Sequence, residues 1–273
     1  MKKLVVVLLS VLLVFGLAAC GGNDSKNDEK TITVVATLDP HSKVLEFAKD
    51  ILAKDGWNLK ITVVDDYYIP NKSVDGGDAD ANYFQHVPFF DGEVSANGYA
   101  LVNAAGIHIE PFGFYSKTIT SVDALQDGAK VVISNSVADH GRILSILDKA
   151  GVITLKDGVD ALNATTADIA SNPKNLTFNE INPEMLIVAF ENNEGDLVAI
   201  NGNYAIQGGL NPTKDAVILE QADATNPYVN ILACRAGEEN SEKIQALVKV
   251  LKSDEVRNFI ISTYSDGSVI PAE

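Results

Sequence analysis

The chain alternates short apolar runs with amphipathic helical repeats from residue 31 almost to its end. Residues 31–36 are dominated by β-branched side chains and are followed by Asp39-Pro40, which ends a strand. Apolar residues from Val44 to Leu52 then recur at helical spacing. Strands that alternate with helices favour an α/β fold with mostly parallel sheets, in which ligands bind beyond the carboxyl ends of the strands.

The same alternation continues through the body of the chain, and no internal repeat interrupts it, which disfavours a solenoid or a propeller. The C-terminal segment predicts one long helix whose apolar face runs from Ile244 to Ile260. Other helices are predicted over residues 142–150 and from Pro183 onward. Further strands are predicted over residues 59–64, 78–84, 99–103, 109–115, 130–134, 176–181, 197–200, 216–219 and 229–234.

The first residues have the layout of a secretory signal. Lys2 and Lys3 precede an apolar run over residues 4–17, and small residues close it. The run is shorter than the roughly 20 residues that a spanning helix needs, so a permanent membrane helix is the weaker alternative. We therefore predict that residues 1–19 are a signal peptide.

The end of this segment, Leu17-Ala18-Ala19-Cys20, resembles the lipobox of bacterial lipoproteins. In that motif the cysteine becomes the first mature residue and carries diacylglycerol on its sulfur. Residues 21–30 have no apolar side chain, as is typical of a solvated leash. The resemblance implies lipidation at Cys20, a tether over residues 20–30, and a body held at the extracytoplasmic face of a cell membrane.

Charge and cysteine content exclude several classes of protein. The chain has 37 acidic and 21 basic side chains and a net charge of −16, which argues against a nucleic-acid partner. Its two cysteines are far apart in sequence, so a disulfide framework is excluded. With Cys20 alkylated, Cys234 has no partner, and its apolar neighbours predict a buried strand residue.

No catalytic signature is present, and the chain is not predicted to be an enzyme or to need a cofactor. The sequence has no nucleophile elbow, phosphate-binding glycine loop, paired cysteines or His-Glu-x-x-His motif. Its histidines have no metal-ligand spacing among themselves, so no metal site is predicted. They are His41, His86, His108 and His140.

An aromatic and polar stretch over residues 80–90 is the first candidate for a binding site. It combines four aromatic rings with Asn82, Gln85 and His86, which must be hydrogen-bonded if they are buried. Such mixtures are typical of small-molecule pockets, and the alternative is that the rings simply form core.

Arg142 is the second candidate, in a segment that runs from a strand end into a helix. A cation near a helix N-terminus is unfavourable unless an anion lies beside it. A ligand carboxylate, bound through two hydrogen bonds, would supply that anion. The alternative is that Arg142 pairs with a local acid such as Asp139.

Asn201 and Asn203 are the third candidate, directly after a buried strand. Their amides can bind the two charged ends of an amino acid, one by donating and one by accepting hydrogen bonds. They can equally form an Asx turn and a helix N-cap, and the residues alone leave both interpretations open.

At these residues the chain resembles the methionine-binding lipoprotein family, also called the NlpA family, which supplies the substrate-capture component of methionine ABC importers. DANYFQH and INGNYA are its most distinctive motifs, and the matches extend over nearly the whole mature chain. The matching blocks are Pro40-His41, residues 76–90, His108-Ile109-Glu110-Pro111, Tyr115-Ser116-Lys117, Gly141-Arg142, residues 200–205 and Gly209-Leu210-Asn211-Pro212.

The resemblance implies a type II periplasmic-binding-protein fold, with two α/β lobes that close on a ligand in the cleft between them. Residues 31–115 would form lobe 1, completed by residues 226–273, and residues 116–225 would form lobe 2. The protein would be a monomer that captures L-methionine and delivers it to an ABC permease and its ATPase.

Carried over by position, Arg142 would bind the ligand carboxylate, and Asn201 and Asn203 its polar ends. Sulfur against aromatic rings contributes roughly 0.3–1.5 kcal/mol per contact, which suits the methionine thioether. The residues implied to surround the ligand side chain are Tyr67, Phe84, His86 and Phe89.

The chain departs from the family pattern at several positions, and we expect the departures to bear on side-chain preference. Proline is usual where Leu38 and Ser134 stand, aspartate at Ser136, asparagine at Asp139 and tyrosine at Phe89. The family's Gln-Leu-Pro-Arg segment is Ile187-Val188-Ala189-Phe190 here, within an altered stretch over residues 182–193 that we expect around the cleft.

Three alternatives to a methionine receptor stay open. The same receptor could bind another apolar amino acid or a methionine-containing dipeptide. A hydrolase could use His86 with Asp80 or Asp91, although the sequence offers no evident nucleophile. A surface adhesin or structural lipoprotein would need no cleft at all.

Overall fold

The computed structural model describes residues 29–222 and 226–273. The predicted signal peptide, residues 1–19, and residues 20–28 of the predicted tether lie outside the described residues. Within the described ranges, no helix is long and apolar enough to cross a bilayer.

Thirteen strands and nine α-helices make up the described part of the chain. The strands are β1 (Thr31–Ala36), β2 (Asn58–Val63), β3 (Ala81–His86), β4 (Leu101–Ile109), β5 (Gly113–Tyr115), β6 (Lys130–Ser134), β7 (Thr154–Leu155), β8 (Ile169–Ser171), β9 (Thr177–Ile181), β10 (Leu197–Ile200), β11 (Ile218–Leu219), β12 (Val229–Arg235) and β13 (Ile270–Pro271). The helices are α1 (Lys43–Lys54), α2 (Ile69–Asp75), α3 (Val87–Asn97), α4 (Val137–Lys149), α5 (Leu186–Glu191), α6 (Gly202–Gln207), α7 (Pro212–Asp215), α8 (Glu242–Leu251) and α9 (Asp254–Thr263).

The first sheet has six strands in the order β13-β4-β12-β3-β1-β2. β1 runs parallel to β2 and β3, whereas β12 is antiparallel to both β3 and β4. Buried apolar residues of α1, α8 and α9 pack on β1 and β12 to form one hydrophobic core.

The second sheet has five strands in the order β11-β5-β10-β6-β9. β6 runs parallel to β9 and β10, and β5 is antiparallel to β10 and β11. Ile143, Leu144 and Leu147 of α4 pack against this sheet in a second core. Strands β7 and β8 form a separate two-stranded sheet.

Both sheets contain more antiparallel pairing than the alternation of strands and helices predicts. The parallel strands lie together within each sheet, and the antiparallel partners are β4, β5, β11, β12 and β13. β5 and β12 are the first strands that the chain forms after it passes from one sheet to the other. A strand that enters from the other sheet need not keep the direction that a strand-helix-strand connection imposes.

The chain crosses between the sheets twice, from β4 to β5 and from β11 back to β12. The crossovers touch, because the backbone N–H of Phe112 donates to Glu220 Oε2 over 3.1 Å. β5 pairs within the second sheet, so the sheet changes shortly before residue 113. The predicted lobe boundary, at residues 115 and 116, lies after this strand.

Several predicted elements differ in extent from the structure; the helix predicted over residues 142–150, for example, is α4 and already begins at Val137. The predicted strands over residues 99–103 and 109–115 are the nine-residue β4 and the short β5, with Pro111 between them. Pairing with β12 along its length keeps β4 extended through Gly106, a residue that by itself weakens a strand.

The predicted long C-terminal helix is two helices, α8 and α9. The Ser253 side chain accepts a hydrogen bond from the backbone N–H of Val256 and caps α9, as Ser241 caps α8. The apolar spacing from Ile244 to Ile260 is kept across the break, so periodicity alone did not reveal it.

Candidate ligand-binding site

A cavity lies between the two sheets, where the crossovers and the ends of several strands meet. It encloses about 390 Å³ of space between atoms, its open mouth included. All seven residues that the sequence predicts for the site line it; their role in binding stays a prediction. The lining residues are Tyr67, Phe84, Gln85, His86, Phe89, Glu110, Asp139, Arg142, Asn201, Gly202, Asn203 and Asn230.

Arg142 projects from the second turn of α4 and is 4% exposed. Its Nε and Nη2 atoms donate to the two carboxylate oxygens of Glu220 over 3.1 and 2.6 Å, and Nη2 also donates to the Glu110 carbonyl oxygen over 2.7 Å. An acid therefore pairs with Arg142, but it is Glu220 and not Asp139, the acid that the sequence suggests. The Nη1 group has no hydrogen-bond partner among the described residues, and a ligand carboxylate could accept from it.

Burial acts to raise the pKa of the Glu220 carboxyl, but the charge and hydrogen bonds of Arg142 outweigh this effect and hold the pKa below its usual range. The guanidinium also lies over the ring of Tyr228, 4.3 Å from its centroid. These contacts fix the plane of the guanidinium.

Asn201 occupies the N-cap position of α6, yet its side chain makes no cap hydrogen bond. Its Nδ2 atom donates instead to Asp139 Oδ2 over 3.3 Å, and its buried Oδ1 atom has no partner within the described part of the chain. The sequence left open whether this residue is a helix cap or a ligand contact. The capping interpretation of the side chain is wrong.

Asn203 presents the complementary group. Its Oδ1 atom accepts a hydrogen bond from the Tyr67 hydroxyl over 2.6 Å, and its buried Nδ2 atom is without a partner among the described residues. Buried polar atoms are nearly always hydrogen-bonded, and each unpaired one costs about 1–3 kcal/mol. One unpaired acceptor and one unpaired donor thus line the same cavity, two residues apart in sequence.

Three aromatic rings form one wall of the cavity. The centroids of Tyr67, Phe84 and Phe89 lie 5.8–6.0 Å from one another at tilted or edge-on angles, a favourable arrangement for aromatic pairs. Other rings of the same stretch are core: Tyr83 packs with α1 and α8, and Phe90 packs with Val74 and Ile231. The core interpretation of residues 80–90 therefore holds for Tyr83 and Phe90, and the binding role of the other rings stays a prediction.

His86 caps α3 and bridges to α4. Its Nδ1 atom accepts from the backbone N–H of Phe89 over 3.2 Å, and its Nε2 atom lies 3.1 Å from Asp139 Oδ1. Since Nδ1 accepts, the ring proton is on Nε2 and is donated to the carboxylate.

A second histidine cluster lies beneath the cavity, and sequence spacing gave no sign of it. His41, His108 and Glu110 are buried and close enough together to hold a metal ion. His108 Nε2 lies 2.8 Å from Glu110 Oε1, and its Nδ1 atom is hydrogen-bonded to the Tyr83 hydroxyl. His41 Nε2 lies 3.0 Å from Asn230 Oδ1, and its Nδ1 atom lies 2.7 Å from Thr37 Oγ1.

The hydrogen bonds of this cluster leave no free metal ligand. Burial lowers the pKa of His41 to about 4 and that of His108 to about 3, so both rings are neutral near pH 7. Each Nε2 faces an accepting oxygen and must carry the proton, whereas each Nδ1 accepts from a hydroxyl group. The cluster thus binds the side-chain oxygen of Asn230 through His41. The Nδ2 donor of Asn230 is then available to the cavity.

Five lining residues were not predicted as part of the site. Asn230 could have been found, because it is a polar residue inside the apolar strand β12. The other four gave weaker signals: Glu110 follows a strand, Gly202 lies between the two asparagines, and Gln85 and Asp139 belong to segments singled out for their neighbours. They are Gln85, Glu110, Asp139, Gly202 and Asn230.

The altered segment over residues 187–190 does not line the cavity itself, but it belongs to the same hydrophobic cluster as Tyr67, Phe84 and Phe89. It belongs to α5, which packs on the second sheet, and Phe190 packs against the ring of Tyr115 at 6.2 Å. Among the expected departures from the family pattern, only Asp139 and Phe89 reach the cavity.

Hydrogen bonds across the cavity join segments next to the first sheet to segments next to the second sheet. The Tyr67 hydroxyl reaches Asn203, the Tyr204 hydroxyl donates to the Asp65 carbonyl oxygen over 2.6 Å, and His86 reaches Asp139. Tyr67 and Tyr204 also stack with their centroids 5.0 Å apart. These contacts therefore bridge the surroundings of the two sheets across the cavity.

Comparisons with known proteins agree with this architecture. The model of a family described as NlpA lipoprotein matches residues 32–273. A protein of Bacillus subtilis (strain 168) named methionine-binding lipoprotein MetQ is 48% identical over 275 residues, which cover 99% of each chain.

Two solved structures extend the comparison to three dimensions. A nutrient binding protein from Burkholderia cenocepacia, solved bound to methionine, has a TM-score of 0.83 and 38% identity, and the match covers 89% of this chain and 100% of that chain. An ABC transporter periplasmic substrate-binding protein from Coxiella burnetii has a TM-score of 0.82 and 35% identity, over 88% of this chain and 100% of that chain. The α/β periplasmic-binding fold that the sequence predicts is confirmed.

Proposed function

The chain belongs to the NlpA lipoprotein family, and on this premise we propose that it captures L-methionine outside the cytoplasm and delivers it to an ABC permease and its ATPase. The supporting observation is the pair of unpartnered buried amide atoms, Asn201 Oδ1 and Asn203 Nδ2. They line the same cavity as Arg142, whose Nη1 group has no hydrogen-bond partner among the described residues. An α-amino acid presents one ammonium donor and one carboxylate acceptor, and these groups would satisfy both atoms.

The aromatic wall accounts for the ligand side chain. A thioether or another apolar group gains from contact with Tyr67, Phe84 and Phe89, whereas a charged side chain would lose its hydration there without a partner. The Burkholderia cenocepacia relative was solved bound to methionine, a ligand that matches this chemistry.

The bonds between the lobes suggest how capture proceeds. Hinge closure would bring Tyr67 to Asn203 and His86 to Asp139, remove water from the ligand, and present both lobes together to the permease. The protein would act as a monomer and catalyse no reaction.

The cavity lining does not favour a hydrolase. No serine, threonine, cysteine or lysine is among the described residues that line it. Both ring nitrogens of His86 are also engaged, one as acceptor from Phe89 and one as donor to Asp139. A purely structural lipoprotein gives no reason for unpaired polar atoms around an open cavity.

Isothermal titration calorimetry with a panel of ligands tests the proposal. We expect the ligand-free protein to bind L-methionine, to bind leucine or a methionyl dipeptide more weakly, and to give no binding heat with lysine. Methionine at about 100 times its Kd should also stabilise the fold by about 2.7 kcal/mol in a melting experiment. Tight binding of an unrelated ligand with none of methionine, or an unchanged Tm with every ligand, would contradict the proposal.

We also propose that a diacylglycerol thioether on Cys20 anchors the protein to the membrane. Acyl chains contribute roughly 0.8 kcal/mol per buried methylene, so the loss of both chains should release the protein completely. Cys20→Ala is expected to move the protein from the membrane pellet to the soluble fraction. Cys234→Ala is the matched control, since Cys234 is a fully buried residue of β12, and burial raises its thiol pKa to about 11. Membrane retention of a Cys20→Ala protein from which residues 1–19 have been removed would refute the anchor.

A further inference from the structure

Asp139 is a buried carboxylate in the first turn of α4, and it faces the cavity. It is 1% exposed, and its side-chain hydrogen bonds within the described residues go to other elements of the fold and not to the backbone of α4. Its two oxygens accept instead from His86 Nε2 over 3.1 Å and from Asn201 Nδ2 over 3.3 Å. Neither of these contacts explains why a charged group stands here.

Neither donor carries a charge that would balance the carboxylate. The Asn201 amide is neutral, and the hydrogen bond from Phe89 to Nδ1 shows that His86 holds a single proton, on Nε2. Burying a charge is costly unless an opposite charge compensates it. Asp139 thus enters the closed cavity without a counter-ion of its own from these two neighbours.

The nearest cation on the same helix is already engaged. Arg142 lies three residues after Asp139, and Glu220 binds it through two hydrogen bonds. No lysine or arginine in residues 29–222 or 226–273 forms an ion pair with Asp139, whose only such partner is His86. Burial acts to raise the pKa of Asp139, but its interactions with His86, then with Arg142 and Asn201, lower it below the usual value, so the carboxyl is ionised near pH 7.

We propose that Asp139 is the counter-ion of the ligand's ammonium group and makes the site specific for ligands with a free, charged amino group. This inference rests on the proposed function and assigns the orientation of the ligand within it. The unpaired Oδ1 atom of Asn201 belongs to the same amide that Asp139 holds, so one ammonium group can reach both acceptors.

The geometry of α4 sets the orientation. Residues three apart lie on the same face of a helix, with Cβ atoms about 5–6 Å apart, so Asp139 and Arg142 offer opposite charges side by side. The ammonium group is directed to Asp139 and Asn201, and the carboxylate is directed to Arg142 Nη1 and Asn203 Nδ2. Analogues whose amino group is acylated or missing lose the contacts to Asp139 and Asn201.

The competing explanation is that Asp139 only joins the lobes through His86. The two roles differ in what they predict for a ligand that lacks the ammonium group. If Asp139 only bridges the lobes, it raises the affinity for every ligand equally. If it is a counter-ion, it raises the affinity only for ligands with a positive charge.

The test is calorimetry of the full chain in detergent with L-methionine and with 4-(methylthio)butanoate, which is methionine without its ammonium group. We expect Asp139→Asn to lower methionine affinity roughly 10- to 100-fold, the range of a hydrogen bond to a charged group, and to leave the affinity for the analogue unchanged or higher. Asp148→Asn is the matched control, because it makes the same change at the other end of α4 and away from the cavity. It should alter neither affinity.

An equal loss of both affinities in Asp139→Asn would overturn the inference and favour the lobe bridge. Should the variant not fold, as judged by circular dichroism, the wild-type protein still decides the matter. A wild-type preference for methionine over the analogue of less than about 10-fold overturns the counter-ion role without any variant. A wild-type protein that binds methionine but fails this comparison leaves the proposed function standing, whereas one that binds neither ligand refutes both.

Discussion

Arg142→Ala is expected to lower the affinity for L-methionine by two orders of magnitude or more. The substitution removes the Nη1 donor proposed for the ligand carboxylate, and loss of one partner of a buried charge pair costs about 2–5 kcal/mol. It also strands the Glu220 carboxylate, which is buried against Arg142 and Phe112. We therefore expect a loss of about 3–5 kcal/mol in the free energy of unfolding as well.

A double variant separates the two effects. In Arg142→Ala/Glu220→Gln the stranded charge is gone, so the stability should largely return while methionine binding stays lost. Calorimetry and chemical denaturation of both variants measure the two quantities. If the double variant regained the wild-type affinity, Arg142 would be a structural partner of Glu220 and not a ligand contact.

Asn203→Asp is expected to lower methionine affinity about as severely, by an almost isosteric change. The Tyr67 hydroxyl can still donate to a carboxylate oxygen at this position, so the contact between the lobes is kept. The unpaired Nδ2 donor, however, becomes an acceptor that faces the ligand carboxylate. The loss of a hydrogen bond to a charged group, about 1.5–3 kcal/mol, adds to the repulsion between like charges.

Asn240→Asp serves as the control for the added negative charge, since Asn240 is exposed and does not line the cavity. It should bind methionine as the wild type does. Calorimetry of Asn203→Asp with methionine near the wild-type affinity would show that the Nδ2 atom does not face the ligand carboxylate.

The seven predicted site residues were within reach of the sequence because most of them follow a strand or open a helix. Phe84 and His86 end β3, Asn201 and Asn203 follow β10, and Arg142 is near the start of α4. In α/β folds these ends converge, so local pattern and the family resemblance give the same location. The α/β class of the fold could be predicted from the sequence for the same reason.

The partners of these residues were not accessible, because they come from distant parts of the chain. Glu220 lies 78 residues from Arg142, and Asn230 lies 189 residues from His41. No periodicity links such positions; they meet only in the folded chain. The suggested pairing of Arg142 with Asp139 was wrong on this account.

Local patterns were also overridden by pairing and capping. Gly106 is a poor strand former, yet β4 continues through it because β12 pairs along its length. Ser253 ends the periodic C-terminal helix with a cap that the apolar spacing conceals. The segment over residues 187–190, expected around the cleft, lies in α5, which packs in the same hydrophobic cluster as Tyr67, Phe84 and Phe89 without lining the cavity.

A crystal structure of the protein grown with L-methionine examines the site most directly. We predict one methionine between the lobes, with its carboxylate within hydrogen-bonding distance of Arg142 Nη1 and Asn203 Nδ2 and its thioether against Phe84 and Phe89. Its ammonium group should contact Asn201 Oδ1. A cavity without methionine at saturating concentration, or a ligand bound away from these three polar residues, would contradict the proposed capture of methionine.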